Sequence, residues 1–272
     1  MTTMQITGSA AAAFGRTLRA EWTKLRSVRS TIWSLVIMAV VTVGFTAIAT
    51  GFYAGSWDSM DAADQARLLS DPIGLILQPG AYYGQIALCV LGVMVVAGEY
   101  STGTISASLL AVPARTPVLA AKAAVLAAVV FVAGEVIAFA SFLLGSGIVS
   151  RRVDVSLDQP GVLRAVLGLG LYLPTVALLA LAVGAIIRHV AGAITAVLAI
   201  VVVLPSLASL LPGDAGRYAS TLAPGGSAGP LLLSSGTNPD AVLTPWQGFA
   251  VACAWSIALL AVAAMLLRRR DA

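Results

Sequence analysis

Six long apolar runs dominate the sequence and constrain its fold. They lie at about residues 31–54, 74–97, 118–149, 162–187, 190–211 and 246–267. A bilayer core about 30 Å thick is crossed by roughly 20 apolar residues in a helix, and isolated helices satisfy their own backbone groups in lipid. Only 10% of the residues are charged, against about 25% in soluble domains. We therefore predict an all-α integral membrane protein with six transmembrane helices.

The distribution of basic residues predicts the orientation of these spans. Of the 16 lysines and arginines, eleven fall on the side of the two termini and five on the other. The larger set comprises Arg16, Arg19, Lys24, Arg26, Arg29, Arg115, Lys122, Arg188, Arg268, Arg269 and Arg270. Because cytoplasmic flanks are enriched in positive charge, we expect both termini in the cytoplasm, with residues 1–30 and 268–272 outside the transmembrane domain of residues 31–267.

The N-terminal segment has the pattern of an amphipathic helix. Apolar side chains recur at helical spacing at Phe14, Leu18, Trp22, Leu25 and Val28. Such a helix lies along the membrane surface with its basic face among head groups; a plain basic flank that sets topology is the alternative. Glu21 falls within the apolar stripe, and a carboxylate there is expected to have a protein partner.

The segment between the second and third runs carries turn and helix signals. Gly98 and Glu99 end the second run, Gly103 lies in a turn-forming triplet, and Pro113 ends a short helix predicted over 105–112. This cytoplasmic helix would present an apolar surface that includes Ile105 and Leu109. It either docks on another protein or lies on the lipid surface.

Glu135 is an ionisable residue roughly 18 Å into the third run, near the middle of the bilayer. It is interpreted either as a protonatable coupling or substrate-path residue, or as a structural hydrogen-bonding group between helices. The long external loop, residues 212–244, contains an apolar Gly-Pro-Leu-Leu-Leu stretch that either dips back into the outer leaflet or belongs to a disordered or surface-packed loop.

The residue inventory excludes several kinds of site. With one histidine and two separated cysteines, the sequence has neither the HExxH nor the CxxC zinc motif. The lysines, Lys24 and Lys122, precede leucine and alanine, so neither belongs to a nucleotide-binding P-loop. We predict no catalytic residues, no metal or cofactor, and no nucleic-acid partner.

Two motifs resemble those of the bacterial membrane permease subunits of ABC-2 type ATP-binding-cassette exporters. The first motif is Glu21, Trp22, Lys24, Leu25, Arg26 and Ser27, before the first span. The second is Gly98, Glu99, Tyr100, Gly103 and Thr104, after the second span. Their order and the six spans fit the family over the whole length.

The resemblance implies a non-enzymatic permease subunit in the bacterial inner membrane that moves a substrate out of the cytoplasm. Two such subunits, identical or paralogous, would form the pore, and each would engage a cytoplasmic ATPase that holds ATP and Mg. The N-terminal helix would be a connecting helix and the loop helix a coupling helix. The expected ATPase-coupling residues are Gly98, Glu99, Tyr100, Gly103, Thr104, Ile105, Leu109 and Pro113. Glu21 and Glu99 would share one interfacial bundle, with nearby arginines as hypothetical partners.

Two other functions are compatible with the residues themselves. One is an ATP-independent, ion-coupled transporter that uses Glu135. The other is a non-transporting membrane assembly or immunity protein that binds only a partner or lipid. The substrate is left open by the sequence.

Overall fold

The computed structural model describes residues 10–101, 103, 115–226, 229–235 and 242–270, and these residues form helices and turns without a strand. Six of the described helices are long and apolar enough to cross a membrane, which confirms the predicted all-α membrane protein. The helix predicted over 105–112 lies outside the described residues, as do Thr104, Ile105, Leu109 and Pro113.

An interfacial helix, Ala10–Ser27, precedes the spans. The first four spans are Arg29–Ser56, Pro72–Ser101, Arg115–Val149 and Val162–Ile187. The fifth comprises Val190–Leu198, a π-helical turn Ala199–Val203 and Leu204–Ala208, and the sixth is Pro245–Arg270. Shorter helices, Ala62–Ser70 and Gly213–Leu222, lie between spans.

The fourth span forms the centre of the bundle. It is apolar on all sides, as expected of a helix surrounded by others, and it packs against the second, third and sixth spans. Small residues let the second and fourth spans approach closely: a Cβ atom at Gly92 would overlap the carbonyl of Ala177, and one at Gly184 would lie 3.1 Å from the Cα of Val93. The second and fourth spans therefore form a tightly joined pair.

The first span packs on the second through small and polar side chains. Thr42 and Thr46 are fully buried and face Gly80 and Gly84, where an added Cβ would overlap atoms of Thr42. Thr46 Oγ1 donates to the carbonyl of Ile76 at 3.0 Å, so its hydroxyl is satisfied away from water. The other face of the first span exposes apolar side chains such as Trp33, at 64%.

The apolar stretch in the loop after the fifth span is buried among the helices. Pro230–Leu233 forms a 3₁₀ turn among the second, fourth and sixth spans, with Leu232 and Leu233 fully buried. Leu232 contacts Gly168, six residues or roughly 9 Å into the fourth span. Asp71 Oδ1 accepts a 2.9 Å hydrogen bond from the Ser235 amide. The segment therefore inserts between helices and does not rest on their surface.

Candidate functional site

Four charged side chains from three helices meet where the second span ends and the third begins. Lys122 Nζ lies 2.6 Å from Glu21 Oε2 and 2.8 Å from Glu99 Oε1. Lys24 Nζ lies 3.0 Å from Glu21 Oε1 and 3.2 Å from the same oxygen of Glu99. We call these four residues the charged cluster, and the side of the bundle that holds them the terminal face. Arg268, near the end of the sixth span, donates to Thr116 on this face.

Burial makes the charged cluster energetically important. The side chains of Lys122 and Glu21 are only 4% and 5% exposed. A charge removed from water is tolerated when an opposite charge and hydrogen bonds replace the water. In the charged cluster, the two negative charges of the carboxylates match the two positive charges of the ammonium groups. The charged cluster thus holds the interfacial helix against the second and third spans.

Lys24 is the more exposed cation of the cluster. Partial burial lowers its pKa, but hydrogen bonds with Glu21 and Glu99 and their negative charges outweigh that effect, so the pKa of Lys24 is raised. Lys24 therefore stays protonated at neutral pH.

The interfacial helix uses a face slightly different from the predicted apolar stripe. Among its side chains from residue 14 onward, the buried ones are Thr17, Glu21 and Leu25, at four-residue spacing, whereas Trp22 is 49% exposed. Glu21 does find a protein partner, as its place in the stripe predicts. The structure places Lys24 and Lys122 against both carboxylates, and the pairing of Glu21 and Glu99 with nearby arginines stays a hypothesis. Lys122 was not predicted as a site residue. The sequence signal that could have identified it is a single lysine near the start of an apolar run.

Tyr100, next to Glu99, contacts a different part of the bundle. The Arg188 guanidinium lies over its ring, 4.9 Å from the centroid. Arg188 ends the fourth span in a left-handed conformation (φ 60°), and its amide donates to Gly184 O at 2.9 Å. Gly103, also left-handed (φ 71°), donates its amide to Tyr100 O at 3.3 Å, a hydrogen bond typical of a turn at the end of a helix.

Two of the open clefts formed by the described residues lie on opposite faces. One, of about 520 Å³, adjoins the charged cluster; its other lining residues are Leu25, Ser27, Val28, Ser30, Thr31, Met94, Val95, Gly98 and Val125. The other, of about 530 Å³, lies between the second and fifth spans on the opposite face. Its lining includes Gln78, Tyr82 and Tyr83 on one side and Ser206 and Ser209 on the other.

The model for the family described as "ABC-2 family transporter protein" matches residues 17–206. This chain belongs to the ABC-2 family. The match begins in the interfacial helix and ends in the fifth span, so this ABC-2 protein carries the whole charged cluster and Arg188 within the matched region. No curated protein sequence matches the chain. Family membership makes the chain a permease subunit of an ABC transporter, in a membrane and associated with an ATPase subunit.

Glu135 of this ABC-2 permease lies away from the charged cluster, at the boundary between the third and fourth spans. Its carboxylate abuts Gly170, where an added Cβ would overlap it. Within the described part of the chain, its buried Oε2 atom has no hydrogen-bond partner. For this oxygen, the described residues therefore provide no partner that would support a structural hydrogen bond between helices.

Proposed function

We propose that this permease subunit exports a substrate from the cytoplasm, driven by a separate ATPase that binds ATP and Mg²⁺ and docks on the terminal face. The observation that carries the proposal is the contact of Lys122 with both Glu99 and Glu21, at 2.8 and 2.6 Å. It joins three helices at the two ends of the segment where an ATPase is expected to dock.

The charged cluster brackets residues 102–114. Glu99 lies just before this segment and Lys122 shortly after it. Their ion pair therefore connects the end of the second span to the start of the third. Glu21 adds the interfacial helix to the same point. Because a buried ion pair resists separation, a force on the segment acts on all three helices together. Such a connection would transmit movement of a docked ATPase to the interfacial helix and to the second and third spans.

We place the terminal face in the cytoplasm of a bacterial cell, with the spans in its inner membrane. Eleven of 16 basic residues fall on this side, and the hydrogen bond between Arg268 and Thr116 supports a shared location for the C-terminal end and the start of the third span.

The cleft on the opposite face is our candidate for part of the substrate path. It combines hydroxyl, amide and tyrosine side chains, which suit a protein-lined cavity better than lipid. A second permease subunit, identical or paralogous, would enclose it. The largely unburied fifth and first spans leave apolar surface for that subunit.

Purification of the affinity-tagged chain in mild detergent tests the proposal. We expect an ATPase to co-purify in near-equal stoichiometry and Glu99→Ala to reduce ATP-driven transport while leaving the ATPase bound. Arg217→Ala, in an exposed ion pair with Asp214, is the matched control and should change neither. Repeated absence of an ATPase from the wild-type preparation would refute the proposal.

A second candidate function, ion-coupled transport by the chain alone, is favoured by the unpartnered Oε2 of Glu135 among the described residues. It predicts transport in proteoliposomes under an imposed proton gradient, abolished in Glu135→Gln. Transport that requires the ATPase and persists in Glu135→Gln excludes it.

A further inference from the structure

We propose that Tyr100 and Arg188 are positioning residues that carry movement from residues 102–114, the segment on which we expect the ATPase to dock, to the fifth span. This inference rests on the proposed function and adds a second path by which movement of the docked ATPase reaches the spans. The charged cluster links the segment to the interfacial helix and third span, whereas the Tyr100–Arg188 contact links the same segment to the turn between the fourth and fifth spans.

The contact lies at a very short turn, where a displacement of Arg188 must also move the adjoining helices. Only Arg188 and His189 separate the fourth and fifth spans, and both are tied to the adjoining helices. The Arg188 amide donates to Gly184 O at 2.9 Å, and His189 Nδ1 accepts from the Gly192 amide at 3.1 Å. A turn capped on both sides moves with its helices, so a shift of the Arg188 guanidinium is passed to the start of the fifth span.

The fifth span is built to respond to such a shift. Few of its side chains are buried, in contrast to the central fourth span. It contains a π-helical turn, Ala199–Val203, followed by Pro205, and both features weaken the regular hydrogen-bond ladder of a helix. Val201, Pro205 and Ser206 line the cleft on the opposite face. The fifth span thus connects the Arg188 turn to the candidate substrate path.

The aromatic ring, and not the tyrosine hydroxyl, is the element that the contact requires. A guanidinium within about 6 Å of a ring centroid is attracted by the π face, which phenylalanine also provides. Tyr100→Phe therefore preserves the contact, while Tyr100→Leu keeps apolar bulk and removes the π face. This pair separates a role of the contact from a general need for an apolar side chain.

The test monitors the cleft by cysteine labelling in the purified complex with its ATPase. Ser206→Cys is introduced after Cys89→Ala and Cys253→Ala, and its labelling rate is measured with and without ATP and vanadate. We expect ATP and vanadate to change the labelling rate. Tyr100→Leu or Arg188→Ala should reduce this change about threefold, because each removes a cation–π contact. The double variant should lose no more than either single one.

Tyr100→Phe should keep most of the nucleotide-dependent change, and Arg217→Ala should keep all of it. Wild-type labelling behaviour in Tyr100→Leu, or additive losses in the double variant, would overturn the inference while the co-purifying ATPase still supports the proposed function. A wild-type chain that repeatedly purifies without an ATPase would overturn both.

Discussion

Lys122 Nζ lies 2.6 Å from Glu21 Oε2, so a lysine in the third span neutralises a carboxylate 101 positions earlier in the chain. The same ammonium group binds Glu99 at the end of the second span. The side chain of Lys122 therefore joins the interfacial helix to the ends of the second and third spans.

Replacing Lys122 should destabilise the protein more than replacing Lys24. Lys122→Met leaves Glu21 buried without its closest cation, which we expect to cost about 3–5 kcal/mol. Lys24→Met removes a partly exposed cation and should cost about 1 kcal/mol or less. Denaturant titration in detergent, followed by tryptophan fluorescence, measures both. Equal losses would contradict the dominant role of Lys122.

The stabilising contribution of Lys24 should disappear only in alkali. The pKa of Lys24 is raised above 10.5 in the folded chain, so its contribution is complete below the unfolded value and is lost as pH rises through the folded value. The difference in unfolding midpoint between wild type and Lys24→Gln should be constant around neutral pH and shrink above 10.5. A difference that already shrinks on approach to neutral pH would refute this assignment.

The close approach of the first and second spans should make Gly80 intolerant of a methyl group. A Cβ atom there would overlap the Thr42 carbonyl, and Gly80→Ala should cost about 1–3 kcal/mol because the helices must separate. Gly51→Ala is the matched control: no atom lies within 4 Å of its added Cβ, and alanine favours a helix by about 1 kcal/mol. Thermal unfolding should rank Gly51→Ala at or above wild type and Gly80→Ala below it.

The inserted turn after the fifth span should depend on Leu232. Leu232→Ala removes a fully buried side chain against Gly168 and should cost about 2–5 kcal/mol. Leu210→Ala, at a position 78% exposed, should change the free energy of unfolding by about 0.5 kcal/mol or less. If the two variants unfold at the same denaturant concentration, Leu232 does not anchor the loop.

The candidate site was only partly predictable. Glu21 was identified by a local conflict, a carboxylate in an apolar stripe, and Glu99 by its place at the end of a span. Lys24 was part of the predicted motif, but neither lysine was predicted to pair with these carboxylates, because the sequence shows that a charge needs a partner without showing which one lies within reach. Arg188 gave still less signal, since an arginine in a short turn is also typical of a positive flank.

The sequence alone determined the all-α class, the six spans and the lack of a nucleotide-binding motif, because each depends on local composition or on the spacing of nearby residues. The tertiary structure decided which helices touch: Lys122 with Glu21, Arg188 with Tyr100, and Leu232 with Gly168. The physical reason is that spans such as the fourth are apolar on every face. Their hydrophobic pattern therefore does not specify neighbours, which are selected by small-residue packing and by pairing of the few charges across long sequence separations.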